Sequence, residues 1–403
     1  MPHTTYYILQ IFMKIVITNN LYAPWVRGGA ERIVEKTAEG LENKGHEVFI
    51  IATAPKESRT EKAYYLGSIF YNLDKYPFWL RFFWHLWDIF NFVHRAKIKK
   101  ILKEKKPDLV ITHNLQGVGF LLPGLLRKLK IKHFHTLHDI QILHPSGLMI
   151  WGKEKILASF PARAYQVITR FLLGSPAVVV SPSQWLLDEH LKRGFFKKSE
   201  IKILPNYFFK QTIVSNAKSK IPIRQPADKC QFLYVGQIEE HKGVEFLVKT
   251  FLSFLGKDIS LKAELLIVGG GSRFEEIKKI AGGRKEINIL GRKNESEVKD
   301  LMLAADCLVV PSLCYENSPT VIYEASAAGL PVLGANLGGI TELIGVIGGI
   351  LFEPGNKDDL LKNMAEITSS PEKLDKIRIK EKPYCPIDYI SELVLLAKDI
   401  KNR

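Results

Sequence analysis

Two kinds of apolar spacing alternate along this chain. Short β-branched runs are followed by glycine-containing turns and then by apolar residues at helical spacing. The run Met13-Lys14-Ile15-Val16-Ile17-Thr18 has the pattern of a buried parallel strand. After it come Arg27-Gly28-Gly29-Ala30-Glu31, and then Ala30, Ile33, Val34, Thr37, Ala38 and Leu41 along one helical face, until Gly45 stops the helix. A strand over 47–51 completes a β-α-β unit, and further buried strands are expected at 109–112, 132–136 and 177–180. Periodicity lapses from Asn206 to about Lys229, where Pro222 and Pro226 stand among lysines and serines. A second series then predicts strands at 232–235, 265–268, 287–290, 307–310 and 331–333.

This alternation predicts an α/β protein of two Rossmann-like doubly wound domains with the ligand cleft between the carboxyl ends of their sheets. The expected boundaries are an N-terminal domain over 1–205, with Met13 as a candidate true start, and a linker over 206–228. A second domain over 229–380 follows, with a C-terminal helix over 381–403 that packs back on the first domain. A chain of 403 residues exceeds what one core usually organises, in keeping with that division. Apolar residues at 46% and charged residues at 25% exclude a disordered or fibrous chain. The net charge of +15 calls for an anionic partner. Four cysteines without C-x-x-C spacing indicate neither a zinc site nor a disulfide framework, and no metal is expected in the site. The basic residues are scattered and accompany no nucleic-acid motif, so nucleic acid is not an expected partner. Residues 1–12 lack a basic leader and a cleavage pattern, which agrees with a cytoplasmic location.

The most informative stretch runs from Pro311 to Pro331. Ser318 before Pro319 reads as an N-cap with proline at the first helical position, and Gly329 with Pro331 closes the helix. The free amides of Thr320 and Val321 would then face the cleft and suit a diphosphate, helped by the helix dipole. Glu316 lies just before the helix and Glu324 is expected two turns in, placed for sugar and ribose hydroxyls.

These two acids resemble the E-x7-E signature of glycosyltransferase family 4, and the likeness extends over nearly the whole chain from Met13. It implies the GT-B fold and retaining transfer of a hexose from a nucleotide-sugar donor to a saccharide or lipid-linked acceptor, in surface polysaccharide or glycolipid synthesis. In that family the first Glu meets the donor sugar and the second the ribose. Val235-Gly236-Gln237-Ile238-Glu239-Glu240-His241-Lys242-Gly243 resembles the family's strand-to-loop motif, in which Arg and Lys neutralise the diphosphate. Lys242 matches, while Gln237 stands where Arg is usual and should weaken one charge-assisted contact. Gly270, in a Gly-rich turn that lacks the third glycine of a dinucleotide fingerprint, should pack beside the donor. Arg292 is either a nucleobase contact or a solvated loop residue. Gly338-Gly339-Ile340-Thr341-Glu342 is either a donor contact or a turn ahead of a helix.

On the first domain, Gly28 and Gly29 match the family loop that binds donor phosphate across the cleft. His138 matches the His near the transferred sugar, with Asp139 orienting it or touching the acceptor. His135 is a competing structural histidine. His113 and Asn114 end another strand as weaker acceptor-side candidates. The resemblance makes Glu316, His138 and Lys242 the catalytic candidates, with Glu316 as a stabilising group. It also implies transfer on one face of the sugar, the leaving phosphate helping to take the acceptor proton. A nucleotide-sugar epimerase of the same shape and a non-catalytic nucleotide-sugar binder remain alternative readings.

One segment stands apart. Residues 76–93 read YPFWLRFFWHLWDIFNFV, with Arg81, His85 and Asp88 as a narrow polar stripe, and residues 95–106 carry seven basic residues against Glu104. The stretch is too short and too charged to span a bilayer. It is read either as a peripheral membrane contact over 76–106 at the inner membrane face or as a helix pair buried in the first domain.

Overall fold

A computed structural model of the chain describes residues 12–206, 229–257, 262–370 and 388–401. Residues 1–11, nearly all of the expected linker (207–228) and residues 371–387 lie outside them. The N-terminal sheet contains β1 (Lys14–Thr18), β2 (Glu47–Ala54), β3 (Ser58–Arg59), β4 (Ala63–Gly67), β5 (Leu109–Thr112), β6 (Lys132–Thr136), β7 (Val178–Ser181) and β8 (Glu200–Ile203). Their spatial order is β3-β4-β2-β1-β5-β6-β7-β8. All the pairings are parallel except that of β3 with β4. Such a sheet is covered on both faces, so its strands read as continuous apolar runs. Val16 and Val110 enter one core, while Ile15, Ile17 and Ile111 enter the other.

The second sheet is six-stranded and wholly parallel, in the order β11-β10-β9-β12-β13-β14. Its strands are β9 (Cys230–Val235), β10 (Ala263–Val268), β11 (Ile287–Gly291), β12 (Cys307–Val310), β13 (Val332–Ala335) and β14 (Ile350–Phe352). Here too adjacent residues face opposite cores, as with Phe232 and Leu233. Each sheet has a switch point where the direction of winding reverses, between β1 and β5 and between β9 and β12. The loops leaving those strands open a crevice there.

Thirteen α-helices among the described residues frame the sheets. The first sheet carries α1 (Gly29–Asn43), α2 (Phe78–Ile89), α3 (Phe92–Lys105), α4 (Leu122–Leu129), α5 (Phe160–Leu173) and α6 (Gln184–Leu191). The second carries α7 (Val244–Lys257), α8 (Phe274–Ala281), α9 (Glu295–Ala304), α10 (Thr320–Ala327), α11 (Gly339–Ile347) and α12 (Lys357–Ser369). The final helix, α13 (Tyr389–Lys401), returns to the first sheet. Its Leu393, Leu396 and Ile400 share a core with Ile15, Val34 and Leu41, and Ile390 lies where a side chain on Gly40 would collide with it, at 2.6 Å.

Several elements differ from the sequence pattern. β4, β8 and β14 are short strands whose periodicity is weak. The aromatic segment is divided at Phe90–Asn91, where the Asn91 side chain caps α3 by accepting from the His94 amide at 2.9 Å. It forms no buried helix pair, because most of the apolar side chains of α2 point to solvent.

Leu393→Ala removes a side chain that is 1% exposed in the contact between α13 and the first domain. The expected loss is about 2–5 kcal/mol of stability, read as a lower urea midpoint with an unchanged slope.

Candidate active site

The two loops at the switch point of the second sheet bring the principal charged pair together. Lys242 ends a short 3-10 turn after β9, while Glu316 follows β12. Lys242 Nζ lies 2.5 Å from Glu316 Oε1, and the Ser312 hydroxyl donates to the same oxygen at 2.9 Å. The approach requires Gly243, since at φ +72° a side chain there would sit 1.9 Å from the Pro311 carbonyl oxygen. Burial opposes ionisation of Glu316, but the adjacent Lys242 charge and its hydrogen bonds win and hold the carboxyl below its usual range. For Lys242, too, burial is outweighed, and its ammonium is held above the usual lysine value by Glu316.

The loop bearing Glu316 is fastened on both sides. Within the second domain, the Gly339 amide donates to the Glu316 carbonyl at 2.7 Å, and a side chain on Gly339 would meet the Asn317 carbonyl oxygen at 1.8 Å. Across the cleft, the Tyr315 amide donates to the Met149 carbonyl and the Trp151 amide to the Leu313 carbonyl, both at 2.9 Å. The Tyr315 ring stacks on Trp185 with centroids 5.1 Å apart, and its hydroxyl donates to Glu154 at 3.1 Å. Asn317 donates from Nδ2 to the His138 carbonyl.

The helix that follows begins differently from expectation. α10 starts at Thr320 with Pro319 as its N-cap, and no side chain caps it. Ser318 is not the cap, because its hydroxyl is paired with the Tyr323 phenol at 2.8 Å inside the fold. The first-turn amides of Thr320 and Val321 are therefore left without a side-chain acceptor, the condition that favours an anion at a helix N-terminus. Glu324 is one turn into α10, not two, because the helix begins at Thr320. Burial raises its pKa, opposed by the charge of Arg32 on α1.

The first domain supplies the facing wall. Gly28 is the N-cap of α1, and its amide donates to Glu31 Oε2 at 2.9 Å, the half of a capping box that a glycine can form. That amide is occupied, so Gly29 and the first turn of α1 are what remain for an anion. Gly29 lies opposite Thr320, whose Cγ2 would be 3.7 Å from a side chain placed there. Gln237 does not lie free for a phosphate. Its Nε2 donates to the Arg27 carbonyl at 2.8 Å and links the two domains beside the glycine loop.

His138 and Asp139 are also partnered in ways their order in the chain does not reveal. His138 Nε2 pairs with His113 Nδ1 at 2.7 Å, the rings stacked. Burial lowers the His138 pKa to about 4 and that of His113 well below the usual histidine value, so the pair is neutral near neutrality. Asp139 does not orient His138. It accepts from the Gln141 amide at 2.7 Å, and burial raises its pKa to about 6. Gln141 in turn holds Asn114 through its side-chain amide and accepts from the Leu115 amide at 2.9 Å. His135 pairs instead with Thr112 at 2.8 Å, among buried histidines.

Gly270 lies against Arg292, whose Nε would be 2.9 Å from a side chain at that glycine. Arg292 is exposed. Glu342 reaches the first domain, accepting from the Gln184 and Trp185 amides at 2.9 and 2.5 Å. The glycine turn before α11 therefore serves as a helix start and an interdomain clasp. Tyr315, Asn317, Trp185 and Arg32 were not singled out by motif, and no spacing in the sequence announces a contact across the cleft.

The lowered pKa of Glu316 carries a sign. The pair stabilises the fold fully above the ordinary carboxylate range, and that contribution is lost as pH falls through the lowered value. Lys242→Met leaves the Glu316 charge buried and unpaired, so about 3 kcal/mol should be lost near pH 7, and less near pH 4, where the unpaired carboxyl takes up a proton. Denaturant unfolding at both pH values measures the difference; an equal loss at both contradicts the assignment.

Residues 27–207 match the model of Glycosyltransferase Family 4, and residues 216–382 match that of Glycosyl transferases group 1. A protein described as an uncharacterized 42.6 kDa protein in the cps region of Klebsiella pneumoniae is 28% identical over 395 residues, covering 95% of this chain and 99% of that one. The alpha-monoglucosyldiacylglycerol synthase of Acholeplasma laidlawii is 24% identical over 97% of this chain and 98% of its own. Among solved structures, Anabaena HepE in complex with UDP-glucose superimposes with a TM-score of 0.64 at 17% identity, over 97% of this chain and all (100%) of that one. With two facing parallel-sheet domains and a family match on each half, the chain belongs to the family 4 type of glycosyltransferases and has the GT-B fold.

Proposed function

We propose that this glycosyltransferase moves a hexose from a nucleoside-diphosphate sugar to a saccharide or lipid-linked acceptor, with retention of anomeric configuration. The observation that carries the proposal is the convergence of Lys242, Glu316 and the uncapped first turn of α10 at the switch point. A diphosphate placed there meets one ammonium and the amides of Thr320 and Val321, with the first turn of α1 opposite. Glu316 holds sugar hydroxyls and Glu324 the ribose. Gly270 and Arg292 lie toward the base, and Gln237 acts chiefly through the Arg27 loop.

As the bond from C1 to the phosphate oxygen breaks, negative charge grows on the departing nucleoside diphosphate. Lys242 and the helix amides stabilise it in a partly buried cleft, so the step needs no resident metal. The acceptor hydroxyl attacks C1 on the same face, and its proton passes to the leaving phosphate. Neutral His138, braced by His113, binds a hydroxyl of the transferred sugar as a dipole, while Asp139 and Asn114 lie on the acceptor side.

UDP-glucose in HepE supports a donor of this chemical class. The relative named as a monoglucosyldiacylglycerol synthase supports a lipid-linked acceptor and a role in surface polysaccharide or glycolipid synthesis. The outward aromatic side chains and basic neighbours of residues 76–106 support a location at the inner face of a membrane. No helix among the described residues is long and apolar enough to cross one.

Glu316→Ala and Lys242→Ala should each lower turnover by about 10²–10³-fold, while chelator leaves the wild type unchanged. The product's anomeric configuration, read by proton NMR, should equal the donor's. Full turnover in either folded variant, or an inverted product, contradicts the proposal.

A further inference from the structure

We infer that α5 is a second membrane-contacting helix, and that with α2 it seats the mouth of the cleft on an anionic bilayer. The inference rests on the proposed membrane contact of residues 76–106 and extends it to a helix whose sequence gave no such signal.

A helix on the surface of a water-soluble domain buries its apolar stripe and exposes its polar one. α5 departs from this: Gln166 and Thr169 share its inward face with Ala162 and Leu173, while several of its large apolar side chains face outward beside Arg163. Its inward Gln166 donates to the Leu143 and Leu157 carbonyls at 3.2 and 2.9 Å, and inward Thr169 donates to the Ile142 carbonyl at 2.7 Å. Its outward side chains include Phe160, 85% exposed, Phe171, 80%, and Val167, 55%. α2 presents Phe78, Phe83 and Trp79 in the same manner, at 74, 61 and 62%. No described segment of the chain covers either helix.

Both helices are fastened to one face of the first sheet. Asp88 of α2 accepts from the Gly117 amide at 2.9 Å, and three residues on, Phe120 meets Tyr165 of α5 edge to face at 6.3 Å. Exposed Ile156 and Trp151 continue the apolar surface toward the cleft, where the Trp151 amide bonds Leu313, close to Glu316 in the chain. The apolar surface thus ends at the candidate active site.

Charge decides what this surface meets. Lys153, Lys155 and Arg163 stand among its apolar residues, and Lys99, Lys100 and Lys103 of α3 continue the cationic character of the segment. A two-fold contact with a second copy would set these cations against themselves, and the chain carries a net charge of +15. Aromatic side chains interleaved with lysine and arginine suit the headgroup region of an anionic lipid layer. α2 has 12 residues, about half of what a transmembrane helix requires, so the contact is interfacial.

The test uses the full chain, with vesicles of phosphatidylglycerol and phosphatidylcholine compared with phosphatidylcholine alone. Wild type should sediment with the anionic vesicles, less so as salt rises. Phe160→Ser with Phe171→Ser should weaken that binding by about 10-fold or more. The same double variant should keep its unfolding temperature and its thermal response to UDP. A variant of α5 that sediments like wild type overturns the inference. If Phe78→Ser with Trp79→Ser loses binding while the α5 variant keeps it, α5 is excluded and the contact of residues 76–106 stands. Wild type that stays in solution at low salt removes both membrane contacts, while nucleotide-dependent transfer to a soluble acceptor would leave the catalytic assignment intact. A dimer that depends on Phe160 and Phe171, without vesicle binding, likewise overturns it.

Discussion

The loop from Leu313 to Asn317 is the constraint on which this molecule turns, because it is bonded to both domains at once. It leaves the second sheet at β12, yet the Tyr315 amide and the Leu313 carbonyl form hydrogen bonds with residues 149–151 of the first domain. The Tyr315 ring packs against one core of each domain. Glu316 follows directly, so the position of its carboxylate depends on the relative placement of the domains. Asn317, Gln237 and Glu342 add three more links across the same crevice. A change in domain angle would be felt at the Lys242–Glu316 pair through a few backbone bonds.

The electrostatics of the cleft are divided between its walls. The second-domain wall holds an ion pair that keeps both members charged despite burial. The first-domain wall holds a neutral imidazole pair and an acid raised toward neutrality, since burial there is not offset by an opposite charge. One wall is thus equipped to answer charge and the other to direct hydroxyl groups with dipoles. The buried network of Gln141, Asn114 and Asp139 keeps the first-domain wall rigid by satisfying donors and acceptors that would otherwise be costly to bury.

The outer surface of the first domain follows from the same accounting of polar groups. The loop over 139–147 exposes carbonyls inward, and α5 turns Gln166 and Thr169 to meet them. With Gln166 and Thr169 turned to the interior, the helix carries Phe160, Val167 and Phe171 on the outside, beside Arg163. An active-site loop and an apolar exterior are in this way two sides of one helix.

Much of the fold was legible in the sequence, because parallel strands buried on both faces must be continuous apolar runs and their connections must carry glycine turns. The β-α-β order, the two domains and the approach of Lys242 and Glu316 to one crevice follow from those local patterns. The short edge strands β8 and β14 did not, since few of their residues are buried. Contacts that cross the cleft leave no periodic trace either. Gln237 was read as a weakened phosphate ligand, and only the placement of Arg27 opposite it assigns its amide to a domain link. Ser318 had the composition of a helix cap, and only packing brought Tyr323 within reach to take its hydroxyl. Sequence determined which local elements could form and which chemistry they carried. Tertiary structure decided partners, because a hydrogen bond or an ion pair depends on distances between groups that the chain order does not specify.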